Sequence, residues 1–306
     1  MMISQRNETP RKISVVVASK VGAPFIDQCI ESLQDQIASL DAELIVIAAG
    51  AAAYAADLEA KFPWARVVHA GEIRKVPALR RRGVDETEGE FVAIIEEHCS
   101  AKADWLQQAL AAHATGDFGA VGGPIVDYDY PRLRDWVVYF LEYNAALPPA
   151  PRGETADLND ANIVYRRRVL LEHADLLDDG YWPMTLHPTL LAKGIKLHSA
   201  PEMIVYHRGP FDFGYYLHQR FLFSRAFASV RAQTQSTFRR LAYLFGAPLV
   251  PVMLLGRMTL RVLQKRHRVD RFILTLPLTV PALVVMVAGE WVGCLLGPGD
   301  ALAKVE

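Results

Sequence analysis

Cysteine is scarce in this chain of 306 residues, and the three present, Cys29, Cys99 and Cys294, lie far apart. Such spacing excludes a disulfide framework and a thiolate zinc site, and fits a reducing compartment. Charge excess is lacking as well: 33 Lys and Arg oppose 34 Asp and Glu, a net charge of −1. No glycine-rich phosphate loop follows the first apolar run, where Lys20-Val21-Gly22-Ala23 stands, and this disfavours a nucleotidyltransferase. The opening stretch, MMISQRNETPRK, has no apolar core of the kind a secretory signal requires, so the first domain is expected to stay in the cytosol. With 51% hydrophobic and 22% charged residues, the chain is rich enough in apolar mass to fold, and disorder is excluded.

The near-zero net charge hides a separation. From Phe213 to Arg271 there are eleven Lys and Arg and one acid, Asp270, whereas residues 1–212 hold 21 basic and 30 acidic groups. An acidic body argues against nucleic acid as a partner, because a positive field would then lie on the folded domain. A basic, apolar tail fits membrane lipids instead.

Strand and helix patterns alternate along the first half. Ile13–Ala18, Glu43–Ala48, Ala65–His69 and Phe91–Ile95 are apolar runs of the kind found in parallel strands buried on both faces. Between them, Phe25–Ile37, Ala51–Lys61 and Val76–Glu86 read as helices, followed by Trp105–His113 as a helix and Gly119–Val126 as one strand through Gly122-Gly123. Repeated units of this kind predict an α/β fold, a mostly parallel sheet with helices on both faces and ligands at the carboxyl ends of the strands. Residues 130–160 read as irregular, with a Pro-rich break at 147–151, before Asn162–Leu171, a helix over Met184–Lys193 and a strand over Glu202–His207. The domain reading is a polar tail at 1–11, an α/β domain at 12–230 and membrane-associated helices at 231–306, with apolar segments at 241–256 and 272–297. A bilayer crossing needs about 20 apolar residues, which the second segment supplies and the first does not. The loop Arg257–Arg271, with six Lys and Arg, is expected on the cytosolic side, with the acidic C-terminus across the membrane.

Several clusters could carry chemistry. Glu96-Glu97-His98 directly follows a buried strand, and carboxylates with an imidazole suit Mg2+ or Mn2+ on a diphosphate. Arg80-Arg81-Arg82 offers forked donors for phosphate. His207, His187 and the pair Asp178-Asp179 are further candidates. Cys99 reads as a small buried residue, since no base is placed beside it.

The order ISVVVAS, ELIVIAAG, LRRRGVDETEGEFVAIIEEH, AVGGP, NIVYRR, LLAKG and VYH resembles that of the family 2 glycosyltransferases, whose GT-A nucleotide-binding domain precedes membrane helices in many bacterial members. The resemblance covers roughly residues 12–230. It implies that Ser19 ends the first strand beside the nucleotide base and that Arg80 and Arg81 face the diphosphate. Glu96-Glu97-His98 takes the D-x-D position, so Glu96 contacts ribose and His98, with Glu96 and His207, binds the cation. Asn162, with Tyr165-Arg166-Arg167, lies near the donor sugar, and Gln219-Arg220 with Arg225 resembles a helix at the membrane face. Two departures stand out: Ala48-Ala49-Gly50-Ala51 replaces the base-reading acid, and Trp182-Pro183 replaces the usual acidic pair. The chain is most similar to a membrane-anchored bacterial branch with Glu-Asp-His in place of D-x-D and a histidine at the position of His187.

The resemblance implies an inverting transfer of sugar from a nucleotide-diphosphate donor to a lipid-linked or cell-envelope polysaccharide acceptor, at the cytosolic face of the inner membrane. A divalent cation, Mg2+ or Mn2+, assists the leaving diphosphate, and Asp179, then His187 or Asp178, is the candidate base. The alternative is a non-catalytic, GT-A-like protein that serves as a membrane-associated binding or assembly module.

Overall fold

The computed structural model describes residues 12–209, 212–234, 246 and 249–305. The tail at 1–11, and most of 241–248 in the first apolar segment, lie outside the described residues. The chain divides into two units, Met1–Val126 with Pro148–Arg208, and Asp127–Leu147 with Gly209–Glu306. The expected break at 230 thus falls inside the second unit, which also takes a segment from the middle of the first.

In the first unit the apolar runs become strands with every residue buried: β1 (Ile13–Ser19) and β2 (Glu43–Ala48). They alternate with α1 (Phe25–Ser39), α2 (Ala52–Lys61), β3 (Arg66–His69), α3 (Val76–Asp85) and β4 (Phe91–Glu96). Then come β5 (Cys99–Ala101), α4 (Trp105–Ala114), β6 (Phe118–Gly122) and β7 (Ile125–Asp127), the last ending at the unit boundary. The predicted strand 119–126 is therefore two strands, broken at Gly123-Pro124, where proline has no N–H for a ladder. After α5 (Leu133–Tyr143), which belongs to the second unit, the first resumes with β8 (Gly153–Thr155), β9 (Asn162–Arg166), α6 (Arg167–Glu172), α7 (Pro183–Ala192), β10 (Lys196–Ser199) and β11 (Val205–His207).

The large sheet has the order β3-β2-β1-β4-β9-β6-β10-β8, and β5-β11-β7 forms a smaller one. Pairing is parallel from β3 through β4 and between β6 and β10, and antiparallel where β9 joins β4 and β6. Ala18 stands opposite Glu96 and Ser19 opposite Ala48, so the polar residues that end these strands share one edge. Helix α3 lies directly on β1, because a Cβ on Gly83 would come 2.2 Å from Val16 Cγ1. That close approach fixes the height of the arginines on α3. All three cysteines are buried thiols outside any disulfide.

The second unit holds α5, in a stretch that reads as irregular because its aromatic residues obscure the helical period. It continues with α8 (Phe213–Thr234), α9 (Val250–Lys265), α10 (Val269–Leu296) and α11 (Ala301–Lys304). Much of the expected basic loop 257–271 is helical, as Arg257–Lys265 completes α9. Only α10, among the described residues, is long and apolar enough to cross a membrane.

His113 on α4 gives the first unit an acid sensitivity. Its Nε2 lies 3.0 Å from the Val164 carbonyl and its ring 4.6 Å from that of Phe91, while Nδ1 is buried without a partner. Burial pushes its pKa down to about 4, against the bond to Val164, which favours protonation. The unfolded chain binds this proton below about pH 6.5 and the folded chain does not until about pH 4. Stability therefore falls as pH drops through that window, by about 3 kcal/mol at its foot. Urea unfolding at pH 7 and pH 4 should find that loss reduced in His113→Gln, and an identical loss in the variant would reject the assignment.

Candidate active site

Three consecutive residues go three different ways, because Glu96 ends β4 while Glu97 and His98 form the turn that leads into β5. Glu97 turns into the loop after β1. Its carboxylate accepts from Ser19 Oγ at 2.9 Å, from the N–H groups of Lys20 and Val21 at 2.9 Å each, and from Gly22 N–H at 3.2 Å. A carboxylate holding three consecutive backbone N–H groups is an anchor for that loop, and it is buried. Ser19 Oγ also lies 2.5 Å from the hydroxyl of Tyr54 on α2.

Glu96 meets Arg80. The Arg80 guanidinium is 5% exposed and donates from Nη2 to Glu96 Oε1 at 3.1 Å and from Nη1 to Asp160 Oδ2. Burial alone would ease the proton off, but Asp160 and Glu96 outweigh it and hold the pKa of Arg80 above its ordinary value. Its side chain is committed to two carboxylates, which themselves stay partly exposed at 26% and 31%. Arg81 points elsewhere, to Asp85 at 3.2 Å and the Ala174 carbonyl at 3.3 Å. The reason is helical geometry: neighbours on a helix point about 100° apart, so only one of the two can reach the strand end.

His98 lies beside His207, ring centroids 6.1 Å apart and nearly parallel, with Phe25 4.9 Å away on His98. Backbone pairing sets this: His207 stands opposite Cys99, and the Arg208 N–H donates to the His98 carbonyl at 2.7 Å. Burial, and next His98, push the pKa of His207 well down, which leaves it the neutral form that ligates metals. Among the described residues no three His, Cys, Asp or Glu side chains converge as a ready metal cage. Two neighbouring imidazoles offer nitrogen donors, a type that suits Mn2+ better than Mg2+.

A buried polar chain lies under the cluster. Tyr181, its ring 5.9 Å from the Arg80 guanidinium carbon, shares a hydroxyl contact of 2.9 Å with Tyr165. The Tyr165 hydroxyl lies 2.6 Å from His187 Nε2, and His187 Nδ1 lies 2.9 Å from Asp157 Oδ1. Burial pushes the pKa of both tyrosines up, so they remain neutral hydroxyls. His187 is buried with both ring nitrogens engaged. Asp178 and Asp179 are exposed. Their turn is pinned to the start of α3, where the Tyr181 N–H donates to the Pro77 carbonyl at 2.9 Å and Gly180, at φ +108°, leaves no room for a side chain.

Asn162 is fully buried and occupied. Its Nδ2 donates to the carbonyls of Pro124 at 2.9 Å and Met203 at 2.6 Å, and its Oδ1 accepts from Trp105 Nε1 at 2.7 Å. The side chain expected near the donor sugar is thus spent on joining β9 to two loops and α4. Asp157, Asp160, Tyr54 and Tyr181 were not singled out in the sequence; only the recurrence of acids in Asp157-Leu158-Asn159-Asp160 offered a signal. Asn162→Ala should lower stability by about 3 kcal/mol or more, because two carbonyls and an indole N–H would lose their partner. A change below about 1 kcal/mol in urea unfolding would show that water replaces the amide.

The chain matches glycosyl transferase family 2 over residues 14–173. Among solved structures, it resembles a mannosyltransferase, PcManGT from Pyrobaculum calidifontis in complex with GDP-Man and Mn2+. That likeness has a TM-score of 0.55 and 15% identity, covering 98% of this chain and 89% of the other. It also resembles GalNAc-T7 with UDP, GalNAc and Mn2+, with a TM-score of 0.50 and 15% identity over 67% of this chain and 44% of the other. A search of curated proteins found no match. The likenesses establish the fold, and the family match spans more than half of the sequence, including the strand ends that gather Ser19, Arg80 and Glu96: the chain belongs to glycosyl transferase family 2.

Proposed function

We propose that this glycosyltransferase moves a sugar, with inversion, from a nucleotide-diphosphate donor to a lipid-linked or envelope polysaccharide acceptor at the cytosolic face of the inner membrane. The observation that supports this most is the pair Glu96 and Asp160, held apart at fixed positions by one buried guanidinium. Both carboxylates retain exposed edge and can accept hydrogen bonds from ribose or sugar hydroxyls. Arg80 is then a positioning residue, since Nη1 and Nη2 each already donate to a carboxylate. Ser19 and Tyr54 stand at the strand edge where the family reads the base, and Tyr54 supplies an aromatic group in a region that lacks the usual acid.

His98 and His207 would hold a divalent cation together with diphosphate oxygens. Bound there, the cation would neutralise charge on the leaving diphosphate. Mn2+ in the two neighbouring structures supports the same assignment. Asp179 is the proposed base: it is exposed, and its turn is fastened to the first turn of α3. His187 lies beneath, and its role is to fix the two tyrosine hydroxyls next to Arg80.

Calorimetry on the full chain tests the reading. Nucleotide diphosphates should bind more tightly with Mn2+, and His98→Ala should remove that dependence while lowering kcat on the order of 10²–10³. Asp179→Asn should lower kcat by about 10²–10⁴ with the donor KM unchanged. Failure to bind any nucleotide diphosphate, with or without cation, would leave the membrane-associated binding module as the better account.

A further inference from the structure

The packing of α10 assigns its other face to lipid. Ile273, Val280, Val284, Trp291 and Leu295 are between 40% and 60% exposed and recur at intervals of seven, four, seven and four residues. On a helix these intervals draw one straight stripe along nearly the whole length of about 42 Å. Pro277 and Pro281 fall on or beside the stripe and are exposed as well. On α9, Val252, Met253, Leu260 and Leu263 are more than half exposed, and Arg257 stands among them.

The opposite face of α10 is covered by charge-bearing segments from end to end. At its start, Arg268 pairs with Asp127 at 2.9 Å and Phe272 packs on Phe140 of α5 at 5.2 Å. In its second half, Gly289 and Gly293 let α8 come so close that a Cβ would lie 2.5 Å from the Phe221 carbonyl and 2.2 Å from that of Arg225. The same stretch of α8 carries Arg220, paired with Glu142 of α5 at 3.3 Å, and Arg225, which donates to the Gly297 carbonyl at 3.1 Å. A helix crossing upright would carry the Arg220–Glu142 pair into hydrocarbon, where each charge is costly.

We propose that α9 and α10 lie in the plane of one anionic leaflet, with the stripe from Ile273 to Leu295 sunk to acyl depth and no segment crossing. Charge complementarity favours lipid over a second copy: Arg257 is exposed among the apolar residues of α9 and Arg266 is exposed just past its end, while the acid Asp270 is paired with Arg271 at 3.7 Å. An interfacial helix of this kind binds through buried apolar area plus attraction to anionic headgroups. The C-terminus then stays on the side of the N-terminus, unlike the crossing that length and composition alone suggest. The inference rests on the membrane location proposed above but not on the chemistry.

The test uses the full chain, tagged at either end, with vesicles of phosphatidylcholine alone or mixed with phosphatidylglycerol. Flotation with the mixed vesicles should exceed flotation with phosphatidylcholine alone by roughly tenfold. Arg257→Glu should lower it by a similar factor, and Val280→Glu with Val284→Glu should abolish it while circular dichroism stays unchanged. In cells, added protease should reach both tags from the same side of the membrane. Tags on opposite sides would overturn the proposal, as would a chain that ignores both vesicle types and forms a dimer that Val280→Glu with Val284→Glu dissolves. Nucleotide-diphosphate binding measured on the same samples separates this outcome from failure of the proposed chemistry.

Discussion

A guanidinium cannot be buried without partners, and Arg80 is where this constraint organises the protein. Leaving such a charge unpaired in the interior costs several kcal/mol. The fold meets this demand from two directions: Glu96 at the end of β4, and Asp160 in the loop before β9. One side chain on α3 thereby determines where two carboxylates stand at the sheet edge. The glycine that lets α3 lie on β1 sets the height of the arginine, and the aromatic ring of Tyr181 covers it. Below, the run of hydroxyls through Tyr165 to His187 and Asp157 extends the same polar layer through the core.

The residues next to Glu96 illustrate how one strand end serves three purposes. Glu97 is used on the loop after β1, where four donors meet its two oxygens. His98 is turned to the small sheet and to His207. His207 comes alongside His98 because the chain leaves β4 and immediately enters β5, with which β11 pairs.

How much of this was legible in the sequence differs by element. Runs such as ISVVVAS and ELIVIA, buried on both faces, have one structural solution, and β1 and β2 appear where the apolar pattern puts them. The strand through Gly122-Gly123 was misread because burial alone cannot tell one long strand from two that enter different sheets. Helix α5 was missed because Trp136, Val137, Val138, Tyr139 and Phe140 are all buried, which erases the polar side of the period. In the site, adjacency in sequence suggested that Glu96, Glu97 and His98 act together, and that Arg80 and Arg81 do so too. Side-chain direction separates them, and direction is set by the turn that follows β4 and by the helical turn of α3. Asp157 and Asp160 lie in a loop, where no periodicity marks a residue as inward-facing. The aptness of α10 for lipid was visible as length and apolarity, but whether it crosses depends on what packs behind it.

The most direct test of the interlock is a double-mutant cycle between Arg80 and Asp160. Arg80→Met, Asp160→Asn and the double variant would be compared by urea unfolding and by affinity for the nucleotide-diphosphate donor. If the buried guanidinium is what holds the two carboxylates, the coupling in stability is on the order of 1–3 kcal/mol, and donor affinity falls to a similar level in all three variants. Effects that add to within about 0.3 kcal/mol, with donor affinity untouched by Asp160→Asn, would contradict it.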